Sequence, residues 1–152
     1  MGYRDADGLD LFGPAEVFAE AVRQLKAPVY EVVASAVGGG TFALTSGISV
    51  AAADLATLRP QPSDIVIVAG GADEATAAAA RDRALVGWLG RAARTVSRMS
   101  SVCDGAFVLA SAMSIPVLTP AAVQIRPSRT KIASRSTCTL GYRRARRSQE
   151  YQ

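Results

Sequence analysis

The segment "DIVIVAGG", residues 64–71, decides how this chain folds. Its four central residues are all β-branched and apolar, and two glycines close the run. That pattern reads as a short parallel strand buried on both faces. An Ala-rich stretch follows, whose Leu85, Val86, Trp88 and Leu89 predict one long helix over roughly 75–93. Next come "TVSRMSSV" (95–102) as a strand and "DGAFVLASAM" (104–113) as a helix. Strands alternating with helices imply right-handed crossovers and an α/β fold, a doubly wound, flavodoxin-like parallel sheet.

Upstream, "MGYRDADG" (1–8) is polar and turn-like. "LDLFGPAEVFAEAVRQLKA" (9–27) predicts a helix entered through Gly13 and Pro14, since proline suits the first helical turn. Ala15, Phe18, Ala21, Val22 and Leu25 recur at helical spacing on one face. "PVYEVVASAV" (28–37) reads as a strand that "GGG" (38–40) breaks, and "TFALTSGISVAAADLATL" (41–58) as two short strands or a hairpin around Ser46 and Gly47.

With 152 residues, nearly half of them apolar, the chain is long enough to bury a core. No apolar run approaches the length of a membrane span. Two cysteines, Cys103 and Cys138, are too few for a disulfide framework, and no signal peptide is visible, so a reducing, cytoplasmic setting is expected. The net charge of +4 is unevenly spread: residues 1–112 carry −3 and residues 113–152 carry +7. A block of that kind suits a nucleic-acid arm, or a segment foreign to the domain before it.

Active groups in a parallel α/β sheet collect beyond the carboxyl ends of the strands, where the Gly70-Gly71 pair and Cys103 both fall. In "SSVCDGAFVLA" (100–110) the cysteine stands between a strand and a helix, flanked by small residues. A side chain there can occupy a sharp turn above the sheet, with the following helix aiming its N–H groups and dipole at it. A small buried cysteine is the opposing reading, and the local residues alone leave both open. Hydrolysis through a Cys-His pair is disfavoured because the chain contains no histidine.

"GLDLFGPAEVF" (8–18), "DIVIVAGG" and "SVCDGAFVLA" (101–110), in this order and spacing, resemble the ThiJ/PfpI superfamily, the class I glutamine amidotransferase-like fold. The closest likeness is to the amidase-like domain at the N-terminus of AraC-type, GlxA-like transcription regulators, and it covers residues 8–112. The resemblance implies that Cys103 is the elbow cysteine. It implies that Asp10 reaches the thiol from the first turn, as a hydrogen-bond partner or general acid/base. Gly71, with Gly70, matches oxyanion-type donors, and the Asp104 N–H completes the nest. Glu16 matches a family position read as structural, in the first turns of its helix.

Three features depart from the family. "MGYRDADG" is too short and polar for the buried central strand expected before the first helix, which predicts a sheet short of one interior strand. Asp104 stands where many regulator-type members have a small hydroxyl residue, and it sets a second negative charge beside any thiolate. The likeness ends near Ala112. Residues 113–152, with isolated Cys138 and "RRARR" at 143–147, then read as a displaced reading frame and the chain as truncated. The alternative is a genuine basic arm for phosphates.

The leading functional expectation is a ligand-sensing domain of an AraC-family regulator. It would take a small molecule, work without a cofactor or metal, form a homo-oligomer, and reach DNA only through a helix-turn-helix part absent from these residues. The alternative is a cysteine-dependent enzyme, an isonitrile hydratase-like lyase or an amidase, with Cys103 as nucleophile and Asp10 managing protons. A third reading is a redox or carbonyl-stress protein using Cys103 as a sensor thiol.

Overall fold

A computed structural model describes residues 1–113. The order is helix α1 (Gly8–Leu25), strands β1 (Ser35–Ala36), β2 (Gly40–Ala43) and β3 (Ser49–Asp54), a 3-10 turn (Leu55–Thr57), β4 (Ile65–Val68), helices α2 (Asp73–Arg81) and α3 (Arg83–Ala92), β5 (Arg98–Ser101) and α4 (Gly105–Ala112). The basic segment and Cys138 lie outside the described residues, apart from Met113.

The α/β reading holds. Strand β4 pairs in parallel with β5, Ile65 opposite Arg98 through Val68 opposite Ser101. Strand β1 pairs in parallel with β3, and β2 runs antiparallel to β3 as the expected hairpin. Gly47, with φ 80, supplies the left-handed residue that the hairpin turn requires. The two sheet fragments are joined by the amino-terminal residues. The Met1 amino group donates to Ile67 O at 2.8 Å, Ala69 N donates to Met1 O at 3.1 Å, and Gly2 N donates to Ser35 O at 3.0 Å. The polar leader therefore supplies three rungs of an interior strand, where the sequence promised none. Gly2 permits this because a Cβ there would lie 2.6 Å from the Phe42 ring.

Four expectations need correction. Helix α1 starts at Gly8, not at Gly13-Pro14, and Pro14 lies inside it. A proline in its second turn removes only one N–H, and Asp7 already precedes the helix as its extended N-cap residue. Glu16 consequently falls in the third turn and not the first. The helix over 75–93 is two helices. Asp82 is extended (φ −69, ψ 109) and its carboxylate accepts from the N–H groups of Ala84 and Leu85, so it ends α2 and caps α3. The strand over 28–37 shrinks to Ser35–Ala36, because residues 30–33 find no backbone partner among the described residues. Strand β4 is buried on alternate residues: Val66 and Val68 are inside, while Ile65 and Ile67 are half-buried.

Two clusters form the core. Leu55, Val66, Val68, Leu85, Trp88, Leu89 and Val108 pack between β4 and helices α3 and α4. Ala6, Phe42, Leu44, Val50 and Ala69 pack around the hairpin. Both clusters touch β4 or its carboxyl end, so that end is held from two sides.

Candidate functional site

The site is built at the carboxyl ends of β4 and β5. After β5, Val102 N still donates to Val68 O at 2.9 Å, so the two strands stay in step to the turn. The chain then reverses into α4 within two residues, Gly105 N donating to Val102 O and Ala106 N to Cys103 O. Cys103 makes this possible by adopting φ 50, a left-handed conformation that a side chain occupies at a cost of about 1–2 kcal/mol. Gly105 is required by the same geometry. A Cβ there would stand 2.4 Å from Val68 O and 2.7 Å from Ala69 O. The strand end and the helix start are in backbone contact, and the thiol is left exposed above them.

Asp10 comes from the first turn of α1, and its Oδ2 accepts a hydrogen bond from Gly70 N at 3.1 Å. A Cβ on Gly70 would meet Asp10 Oδ2 at 2.7 Å, Asp104 N at 3.0 Å and Cys103 Cβ at 3.0 Å. A carboxylate, a helix-start N–H and the base of the thiol side chain thus converge on the space left by one absent methyl group. Four of the five predicted residues meet at that point. The Gly70 N–H is engaged by Asp10, so it is not a free oxyanion donor.

Gly71 sits one step away. A Cβ on it would lie 2.7 Å from Asp5 O and 3.2 Å from Tyr3 Cε2, so it packs against the amino-terminal segment. The Asp104 carboxylate makes no capping bond at the start of α4.

Tyr3 and Thr76 went unnoticed in the sequence. Thr76 Oγ1 donates to Gly71 O at 3.2 Å, and the Tyr3 hydroxyl lies 3.1 Å from the same Oγ1. Since Thr76 has one hydroxyl proton, Tyr3 is the donor of that second bond. Burial, and then the charges of Asp7, Asp10 and Asp104, push the Tyr3 hydroxyl pKa above the usual phenol value, against the bond to Thr76. Tyr3 therefore stays a proton-bearing donor at neutral pH, beside three carboxylates. Its only sequence signal was an aromatic residue inside an otherwise polar leader.

Among the described residues no three His, Cys, Asp or Glu side chains are placed to hold a metal ion. No described helix is long and apolar enough to cross a membrane. The arrangement can present a thiol and a carboxylate to a small molecule resting on the start of α4.

No protein-family model matches the chain. Its sequence is 36% identical over 104 residues to the HTH-type transcriptional regulator GlxA of Rhizobium meliloti (strain 1021), a match that takes in 62% of this chain and 31% of that protein. The chain thus spans about a third of the regulator's length. Its fold is similar to the crystal structure of a ThiJ/PfpI family protein from Pseudomonas syringae, with a TM-score of 0.63 and 22% identity over 72% of this chain and 43% of that one.

Proposed function

Starting from a ThiJ/PfpI domain of the kind found with GlxA-like regulators, we propose that this chain senses a small molecule for transcription control and that Cys103 and Asp10 form the floor of the sensing site. One observation carries the reading: Asp10 Oδ2, Asp104 N and Cys103 Cβ crowd the same point at Gly70. A thiol on a left-handed turn, a fixed carboxylate and a helix start suit a ligand with a polarised carbon and a hydrogen-bonding heteroatom. DNA contact belongs, in this reading, to a separate helix-turn-helix part that these 152 residues do not supply. Association into a homo-oligomer and a cytoplasmic setting are part of the same proposal.

The test is a thermal-shift screen of small carbonyl, amide and isonitrile compounds against the purified chain. A ligand at about one hundred times its Kd stabilises by roughly 2.7 kcal/mol, which in a domain of this size raises Tm by several degrees. The shift should disappear in Cys103→Ala and weaken in Asp10→Asn. A screen with no stabilising compound, or a shift indifferent to both substitutions, would sink the reading.

A second reading, a cysteine-dependent hydratase, is favoured by the Asp10–Cys103 convergence, since Asp10 could move the proton that a histidine would otherwise carry. Steady consumption of an isonitrile, abolished by Cys103→Ala, would select it over sensing. The sensor-thiol reading predicts instead reversible oxidation of Cys103 with no stabilising ligand.

A further inference from the structure

We propose that Tyr3 is a positioning residue of the sensing site: by donating to Thr76 Oγ1 it commits the Thr76 proton to Gly71 O, and so holds the turn after β4 in the form that fixes the Asp10 carboxylate beside Cys103. This role rests on Cys103 and Asp10 forming the floor of the site.

The turn is soft by composition. Two consecutive glycines, Gly70 and Gly71, give it a backbone with no side chains to lock it. Hydrogen bonds fix it instead. Gly70 O accepts from Asp7 N at 2.9 Å, Ala72 N donates to Asp5 O at 3.3 Å, and Gly71 O accepts from Thr76 Oγ1 at 3.2 Å. The peptide joining Gly71 to Ala72 is thus held at both its oxygen and its nitrogen. One residue earlier, Gly70 N makes the 3.1 Å bond that orients Asp10.

The Thr76 bond departs from the ordinary helical pattern. A threonine inside a helix usually returns its hydroxyl to the carbonyl three or four residues earlier. For Thr76 the carbonyl four residues earlier is Ala72 O, which already accepts Thr76 N at 2.8 Å. The hydroxyl reaches five residues back, to Gly71. Tyr3 sets this choice. Thr76 is 5% exposed, and its hydroxyl has a single proton to give. With the Tyr3 hydroxyl donating to Thr76 Oγ1 at 3.1 Å, that proton points to Gly71 O. Burial raises the Tyr3 pKa, so this donor persists through the neutral range. The ring grips the same turn, since a Cβ on Gly71 would lie 3.2 Å from Tyr3 Cε2.

Without the Tyr3 hydroxyl, Thr76 is free to turn to Ala72 O, the glycine turn relaxes, and Asp10 loses its fixed place. A carboxylate held beside a thiol raises the thiol pKa, whereas one loose in solvent is screened. Asp7 and Asp104 also act on the Tyr3 hydroxyl, and every variant below retains both charges.

The experiment follows iodoacetamide alkylation of Cys103 in the full chain from about pH 6 to 10. Peptide mass spectrometry separates Cys103 from Cys138. Asp10→Asn should lower the midpoint. Tyr3→Phe should lower it part of the way, with alkylation at least about twofold faster near neutral pH. Thr76→Val should match Tyr3→Phe, and Thr76→Ser, which keeps the hydroxyl, should restore the wild-type midpoint. Tyr3→Phe placed on Asp10→Asn should change nothing further. The proposal is overturned by a cooperatively folded Tyr3→Phe chain with the wild-type profile, or by a full additive effect on top of Asp10→Asn. An unchanged midpoint in Asp10→Asn overturns it as well. Should Tyr3→Phe fail to fold, the profile of Thr76→Val decides in the same way. None of these measurements uses a ligand, so an empty ligand screen defeats the sensing reading alone, and the alkylation profiles judge Tyr3 separately.

Discussion

The carboxylate of Asp10 accepts the N–H of Gly70 across sixty residues of chain, at 3.1 Å. This bond ties α1 to the end of β4 and aims the carboxylate at the turn that carries Cys103. A polar contact that spans two elements in this way contributes to stability and to positioning at once. The two effects separate by substitution.

Asp10→Ala leaves the buried Gly70 N–H without an acceptor and should destabilise by about 1–3 kcal/mol. Asp10→Asn retains an amide oxygen in the same place and should cost less. Urea unfolding midpoints of the two variants measure the difference. Equal losses would mean that the charge, and not the acceptor, matters.

Two glycine substitutions should move stability in opposite directions. Gly105→Ala drives a methyl group into the carbonyl oxygens of Val68 and Ala69 and should cost more than about 2 kcal/mol, or prevent cooperative folding. Gly87→Ala, within α3, meets only the far end of Arg91 at 3.5 Å and should stabilise by roughly 0.5–1 kcal/mol. Thermal unfolding of the pair tests whether the β4–α4 contact is as close as described.

Cys103 carries its side chain at φ 50, so removing the Cβ should relieve strain. Cys103→Gly is expected to be more stable than Cys103→Ala by about 1 kcal/mol, after the greater flexibility of glycine in the unfolded chain offsets part of the gain. A more stable alanine variant would argue against a left-handed residue at this turn.

Burial lowers the Met1 ammonium pKa from 8.0 to about 6. The folded state therefore disfavours the charged form. Below pH 6 both states are protonated and the penalty is complete. Between pH 6 and 8 the unfolded chain binds more protons, so stability rises with pH, by about 2–3 kcal/mol over the window. Above pH 8 the penalty is gone. Acetylation at Met1 keeps the N–H to Ile67 O, removes the charge and should flatten the profile. Unfolding free energies at pH 5.5, 7 and 8.5, with and without acetylation, provide the check.

Much of this architecture was legible in the sequence where local pattern and tertiary need agree. "DIVIVAGG" became β4 and "DGAFVLASAM" became α4, because a β-branched run closed by glycines and a small-residue helix start each have few alternatives. The hairpin at Gly47 was legible for the same reason. The pattern misled where a distant partner decides. "PVYEVV" has a strand composition, yet pairing depends on a neighbour that composition does not announce. The split at Asp82 was hidden because alanine and leucine continue on both sides, and only the capping carboxylate marks it. At the site, the order of three motifs named Cys103, Asp10 and Gly70, and the structure brings them together at one point. Tyr3 could not be named that way, since its role depends on Thr76, 73 residues away.

The rungs made by Met1 and Gly2 also bear on how the chain folds in time. The hairpin and the β4–β5 unit close over short sequence distances, whereas the Met1 bond to Ile67 spans 66 residues and closes a much larger loop. Loop closure of that size contributes little until both edges are in place to receive it. The two halves are therefore expected to form first and independently. The amino-terminal rungs then lock the halves together, as the last step toward the native sheet.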